Sequence, residues 1–136
     1  MYVSGSGGMR SSSNNAIIRQ EIQVFANPDN YPIYCHCVAG RDRTGTIVAI
    51  LLALLGVDTE TILKEYELTF FSSKGYSADS TVLEMVAQAN EVIDFMIEKG
   101  MQNEGDTLQQ CAENYLRDIV GVSQEEINAI KNMMTI

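Results

Sequence analysis

The chain has 136 residues, a length typical of one domain, and its 46% hydrophobic and 20% charged residues are a globular composition. Nine basic and eighteen acidic side chains give a net charge of −9, which excludes a basic face for nucleic acid or an anionic membrane surface. The longest apolar run, residues 47–57, is far shorter than the ~20 residues of a membrane span. We therefore expect no nucleic-acid partner and no membrane span.

The first residues, 1–13, are small and polar without periodicity. They predict a flexible linker or terminus, followed by one domain over residues 14–136, complete or partial. No secretory signal opens the chain, which favours the cytoplasm, while export from a longer precursor stays open.

Residues 15–27 carry apolar side chains at helical spacing, which predicts a helix that ends before Pro28. Residues 33–37 have the composition of a short strand. A polar loop over 38–44 and an apolar helix over 44–55 follow, so this part reads as strand, loop and buried helix. The apolar positions of the first helix are Ile18, Ile22 and Phe25.

The C-terminal two thirds are predicted to be helical. Asp58 or Thr59 is expected to cap one helix, and a stripe of apolar residues predicts another over 80–99, ended by Gly100. Two capping-box patterns predict two further helices. They are Asp106-x-x-Gln109 and Ser123-x-x-Glu126.

The three cysteines are an odd number, and two of them are almost adjacent, which argues against a disulfide scaffold. Cys111 is expected in the core. Cys35 is expected to pack on the same strand face as Cys37, with a redox partnership between them as the alternative. A structural zinc site is not expected, because its ligand pairs are more widely spaced and His36 is the only histidine.

Residues 36–45 read His-Cys-Val-Ala-Gly-Arg-Asp-Arg-Thr-Gly. A loop between a strand and a helix can point successive backbone N–H groups inward, and the helix N-terminus adds positive potential, so we expect an anion cradle. Arg43 supplies a planar fork suited to a tetrahedral oxyanion. The same field favours a thiolate at Cys37. The residues expected to line the cradle are Val38, Ala39, Gly40, Arg41, Asp42 and Arg43.

This stretch resembles the His-Cys-x5-Arg-Thr-Gly signature of the cysteine-dependent protein tyrosine and dual-specificity phosphatases. More narrowly, Cys-x-x-Gly-Arg-Asp-Arg-Thr-Gly is similar to the loop Cys-x-x-Gly-Lys-Asp-Arg-Thr-Gly of a group of bacterial tyrosine phosphatases. Some members of that group also accept phosphoserine, phosphothreonine or phosphoinositides. The resemblance covers residues 18–71 well and the C-terminal helices more loosely.

The resemblance implies a phosphomonoester hydrolase that acts on a phosphorylated protein or a small phosphomonoester, without metal or cofactor. Cys37 would form a phosphocysteine, and Arg43 would hold the phosphoryl oxygens. Thr44 would stabilise the departing thiolate. His36 would lie under the loop and fix its backbone.

The resemblance leaves the general acid to be chosen. Asp29 precedes the expected strand, whereas Cys37 ends it, so Asp29 is expected on the opposite side of the sheet. Asp42 lies inside the loop and is our candidate for the acid. Arg41 is either a second phosphate contact or a solvated loop residue.

The resemblance also implies an α/β fold, with a parallel sheet flanked by helices. This chain would supply the phosphate-loop strand and a mostly helical C-terminal part. Further strands would come from a missing N-terminal portion or from an identical chain, unless the protein is a reduced variant. The alternative function is a pseudophosphatase or fragment that binds phosphate without turning it over.

Overall fold

Helices form all the regular structure in residues 5–71 and 82–135, the part of the chain that the computed structural model describes. Three short 3-10 turns and one π-helical turn connect or extend the α-helices. The α-helices are α1 (Gly5–Arg10), α2 (Asn15–Ala26), α3 (Asp42–Leu54), α4 (Thr59–Glu67), α5 (Val82–Gly100), α6 (Leu108–Asn114) and α7 (Gln124–Met134). The short turns are Ser12–Asn14, Pro28–Asn30 and Leu68–Phe71, and the π-helical turn is Tyr115–Val120.

Helix α3 lies at the centre of the molecule and packs against α1, α2, α4, α5 and α6. Its residues are apolar on almost every side, as a helix surrounded by other helices requires. Ile47, Ile50 and Leu54 are all buried. The sequence prediction of a buried helix is confirmed, although the helix begins at Asp42, two residues before the expected start. The first turn of α3 is therefore continuous with a buried helix.

The predicted strand at residues 33–37 is wrong, and with it the predicted α/β fold with a parallel sheet. A strand needs a neighbour to satisfy its backbone N–H and C=O groups, and residues 5–71 and 82–135 contain no strand that could serve as one. The segment instead runs along the surface without regular structure. Cys35 is exposed there, so the expectation that it packs is also wrong.

Local signals located several helices correctly. Helix α2 buries Ile18, Ile22 and Phe25, as predicted. Asp58 caps α4 by accepting a hydrogen bond from the Thr61 N–H at 3.0 Å. These predictions needed only residues within one or two turns.

One of the two predicted capping boxes is correct. Ser123 and Glu126 form the box that begins α7. Helix α6 instead begins with a box one residue later than predicted, between Thr107 and Gln110. Asp106 has a different role, because it accepts hydrogen bonds from two preceding backbone N–H groups and closes the turn after α5.

Helices α5 and α6 come into unusually close contact at Gly100. A Cβ atom on Gly100 would lie 1.8 Å from the carbonyl oxygen of Cys111. Only glycine fits this crossing. Cys111 is buried here, which confirms its predicted place in the core.

Helix α1 lies within residues 1–13, the segment read from sequence as a linker, and its Met9 is only 2% exposed. Asn14 donates a hydrogen bond to the carbonyl oxygen of Gly8 at 2.9 Å. The proposed domain boundary after residue 13 stays a prediction. No helix among the described residues is both long enough and apolar enough to cross a membrane.

Candidate functional site

The loop between residues 37 and 42 turns sharply before α3. Gly40 has φ = +69°, a left-handed conformation that favours glycine. The Gly45 N–H donates to the carbonyl oxygen of Arg41 at 2.7 Å, and the Thr46 hydroxyl donates to that of Asp42 at 2.7 Å. These bonds fix the first turn of α3 against the loop.

The loop places N–H donors around the sulfur of Cys37. Partial burial raises the pKa of Cys37, but hydrogen bonds from the Thr44 side chain and from the backbone N–H groups of Thr44, Gly40 and Ala39 outweigh it. The net result lowers the pKa to about 7. A substantial fraction of this thiol is therefore thiolate near neutral pH, the form that acts as a nucleophile.

The Thr44 hydroxyl is buried and has no conventional hydrogen-bond partner among the described residues. An unpaired buried hydroxyl is costly unless a nearby group accepts from it. The Cys37 thiolate is that acceptor, because the Thr44 side chain is one of the groups that lower the Cys37 pKa. Thr44 is thus placed to stabilise negative charge on the sulfur.

Arg41 and Asp42 form a two-point ion pair at the start of α3. Arg41 Nε lies 2.9 Å from Asp42 Oδ1, and Arg41 Nη2 lies 3.1 Å from Asp42 Oδ2. The hydrogen bond to Asp42 raises the pKa of Arg41. Both carboxylate oxygens are therefore engaged by one guanidinium group.

Tyr66 of α4 joins the Arg41–Asp42 pair. The sequence analysis did not identify it as a site residue. Its side chain is 5% exposed and its hydroxyl is hydrogen-bonded to Asp42. Burial raises the pKa of Tyr66 to about 12, and the negative charge of Asp42 contributes to the rise. The helical spacing of Tyr66 indicates a core residue, but a local pattern does not reveal the contact of its hydroxyl with Asp42.

Arg43 lines a cavity of about 320 Å³ that also borders Thr44, His36 and Glu21. Cys37 is not among the residues that line this cavity. Arg43 therefore follows the same loop as Cys37, but its side chain lines this neighbouring cavity. The predicted phosphate contact of Arg43 stays a prediction.

The remaining predicted residues lie at the surface of the loop. His36 is exposed, its Nδ1 lies 3.3 Å from the carbonyl oxygen of Cys37, and its ring stacks on Tyr34. Val38 is 86% exposed, so any contribution to an anion site comes from its backbone. No group of three or more His, Cys, Asp or Glu side chains in the described ranges is arranged to hold a metal ion.

Together, the described geometry offers a cysteine with a lowered pKa, a ring of N–H donors and the Arg41–Asp42 ion pair within one loop and its helix, with the Arg43 side chain at the adjacent cavity. Such a set can bind a tetrahedral oxyanion and attack it with sulfur. Asp42 is the carboxylate of that set, and its predicted role as the general acid stays a prediction.

A model of the tyrosine phosphatase family matches residues 7–136. The chain is 40% identical over 50 residues to a Probable tyrosine-protein phosphatase of Dictyostelium discoideum, covering 37% of this chain and 30% of that protein. It is 46% identical over 35 residues to a triple specificity protein phosphatase of Mycobacterium tuberculosis, covering 26% and 13%. It is 28% identical over 74 residues to an inositol diphosphatase of Arabidopsis thaliana, covering 54% and 37%.

The chain thus spans little more than a third, or less, of the length of these relatives. No solved structure matches it. The relatives come from Dictyostelium discoideum and Arabidopsis thaliana as well as from Mycobacterium tuberculosis, so the narrower likeness to a bacterial group stays a prediction.

Proposed function

The chain belongs to the tyrosine phosphatase family, matched over residues 7–136, and on that premise we propose that the protein hydrolyses phosphomonoesters through a phosphocysteine intermediate. The observation that carries the proposal is the set of N–H and O–H donors that lowers the pKa of Cys37 to about 7. A thiolate inside a ring of donors is suited to attack phosphorus, because the same donors bind the phosphoryl oxygens.

In the first half of the reaction, the Cys37 thiolate forms a bond to phosphorus and the bond from phosphorus to the ester oxygen breaks. Asp42, which takes up a proton from solvent once the phosphate has replaced it on Arg41, gives that proton to the leaving oxygen, so that an alcohol or phenol departs. In the second half, Asp42 accepts a proton from water as the water attacks phosphorus. The P–S bond then breaks, and Thr44 stabilises the thiolate that leaves.

Both arginines have to serve the bound phosphate in this scheme. Arg41 is engaged by Asp42 in the absence of substrate, and a phosphate dianion is a stronger competitor for its guanidinium. The Arg43 side chain lines a cavity that Cys37 does not border, so its guanidinium has to turn towards Cys37 to contact the same phosphate. Substrate binding thus releases Asp42 from Arg41. Asp42 needs this release in order to carry a proton.

The substrate we propose is a phosphorylated protein, with phosphotyrosine as the first candidate. The relative from Mycobacterium tuberculosis is named for triple specificity, and that from Arabidopsis thaliana for inositol diphosphate hydrolysis. A broader substrate range, with phosphoserine, phosphothreonine or phosphoinositides, is therefore part of the proposal. A second phosphate contact through Arg41 would serve a substrate that carries more than one phosphate.

We also propose that a further polypeptide, from the rest of the protein or from an identical chain, covers residues 31–38. Tyr34 is 87% exposed and Val38 is 86% exposed, and both flank the nucleophile. Large apolar side chains concentrated on one short segment commonly mark a contact surface.

The test of the proposed function is Cys37→Ser in the protein as its gene encodes it. We expect this variant to lose hydrolysis of an aryl phosphate and to keep phosphate binding, because the donors remain while the thiolate is gone. Cys35→Ser is the matched control, since this nearby thiol is exposed, and it should keep activity. Turnover by Cys37→Ser at the wild-type rate would overturn the mechanism. Phosphate binding without turnover in the wild type would favour the pseudophosphatase alternative.

A further inference from the structure

Tyr66 is a buried polar group that the proposed mechanism does not use. Its ring lies against Gly45, where a Cβ atom would be 2.5 Å from Tyr66 Cε2. Gly45 follows Asp42 by about one helical turn, so both residues lie on the same side of α3. The missing side chain at Gly45 is therefore what lets Tyr66 reach the beginning of α3.

The hydroxyl of Tyr66 makes its hydrogen bond to Asp42, on the same carboxylate that Arg41 holds at 2.9 and 3.1 Å. Burial is the largest cause that raises the pKa of Tyr66 to about 12. The hydroxyl thus keeps its proton throughout the neutral range and remains a hydrogen-bond donor. The two contacts differ in origin, because Arg41 belongs to the loop and Tyr66 to α4.

We propose that Tyr66 is a positioning residue for the phosphatase reaction, and that its hydroxyl holds the Asp42 carboxyl group in place beside the loop that carries Cys37. The inference rests on the proposed function, because it concerns the residue that moves protons in it. When phosphate draws Arg41 away from Asp42, the Tyr66 hydroxyl is the contact that stays. Asp42 therefore keeps one orientation during both half-reactions.

The experiment uses Tyr66→Phe in the protein as its gene encodes it. This change removes the hydroxyl and keeps the ring against Gly45. We expect kcat for an alkyl phosphate such as phosphoserine to fall about tenfold, the factor that corresponds to one hydrogen bond to a charged group, with KM little changed. For a nitrophenyl phosphate, whose leaving group needs little protonation, the loss should be smaller.

A double-mutant cycle separates this positioning role from a merely structural one. In an Asp42→Asn background, Tyr66→Phe should have no further effect on kcat for the alkyl ester, because the hydroxyl acts through Asp42. A structural role would lower kcat by the same factor in both backgrounds and for both esters.

Tyr115→Phe is the matched control. Tyr115 is also buried, but its hydroxyl has no partner among the described residues, so its loss should leave kcat unchanged. Equal kcat for Tyr66→Phe and the wild type, an equal loss in both backgrounds, or failure of Tyr66→Phe to fold would each overturn the inference. Cys37→Ser reports separately on the proposed function: if it is inactive while Tyr66→Phe is fully active, only the role of Tyr66 is wrong.

Discussion

The hydrogen-bond donors that lower the pKa of Cys37 lie within seven residues of it in the chain. Ala39 and Gly40 contribute backbone N–H groups, and Thr44 contributes both its N–H and its hydroxyl. Since these donors all belong to the loop and to the start of α3, the lowered pKa of Cys37 is largely a local property of that segment. A single substitution in that loop is therefore enough to change it.

The pH dependence of Cys37 follows from this arrangement. Its pKa of about 7 means that the thiolate is present above pH 7 and is lost as the pH falls through that value. Alkylation of Cys37 by iodoacetamide, measured by peptide mass spectrometry, should rise with a midpoint near pH 7. Thr44→Val should move the midpoint to higher pH, because the O–H donor is lost.

Cys35 gives an internal control for this measurement. Its pKa is raised by partial burial, by Glu21 and by Cys37, so its alkylation should rise only at a more alkaline pH. Equal midpoints for the two cysteines would contradict the role assigned to the loop donors.

Asp42→Asn distinguishes acid catalysis from a purely structural role of this residue. An asparagine cannot give a proton, so alkyl esters should be hydrolysed about 10²–10⁴-fold more slowly, the usual contribution of general acid catalysis. Nitrophenyl esters should slow much less. The measurement is kcat for both ester classes across pH, where the alkaline limb should flatten in the variant. An equal loss for both classes, with that limb unchanged, would mean that another residue is the acid.

At the scale of helices and their contacts, Gly100 is the residue on which the packing of α5 against α6 depends. A methyl group there would meet the backbone of Cys111 at 1.8 Å, so one helix must move. Gly100→Ala should lower the free energy of unfolding by about 3 kcal/mol, the upper range for overpacking. Urea denaturation followed by circular dichroism measures this change.

Gly105→Ala is the comparison for that variant. Gly105 has φ = +90° and nothing within 4 Å of a Cβ position, so alanine meets backbone strain alone, about 1–2 kcal/mol. If the two variants were equally destabilised, the close crossing at Gly100 would not be the cause.

The helices show which signals a single sequence carries. The apolar spacing of Ile18 and Ile22, and the Ser123 capping box, are local, and they predicted α2 and α7 correctly. A strand is different, because its stability depends on partners elsewhere, and composition alone placed one wrongly at residues 33–37.

The predicted start of α6 was wrong for a related reason. Both Asp106 and Thr107 have a glutamine three residues later, so the pattern fits either. The structure uses the Gln109 side chain elsewhere, where it donates to the carbonyl oxygen of Leu54 at 3.0 Å. That contact joins residues distant in sequence, which a local pattern cannot reveal. The hydroxyl contact of Tyr66 with Asp42 escaped prediction in the same way.

In the molecule as a whole, the candidate site joins a central helix to an exposed segment. Helix α3 is surrounded by other helices, whereas residues 33–37 precede Cys37 without regular structure. The side chains of the site are thus fixed on one side by the core. On the other side, access to Cys37 depends on residues 31–38, the segment that we propose a further polypeptide covers.

The last prediction concerns that cover. The backbone N–H groups of residues 33–37 donate to no backbone acceptor in the described part of the chain, so they should exchange with deuterium rapidly in the 136-residue chain alone. If the rest of the protein covers them, the same amides should exchange slowly in the protein as its gene encodes it. If an identical chain covers them, protection should instead increase with the concentration of the short chain. Native mass spectrometry, which counts the chains in each particle, identifies the partner. Equally rapid exchange in every sample would mean that this segment stays open, and that the substrate itself meets Tyr34 and Val38.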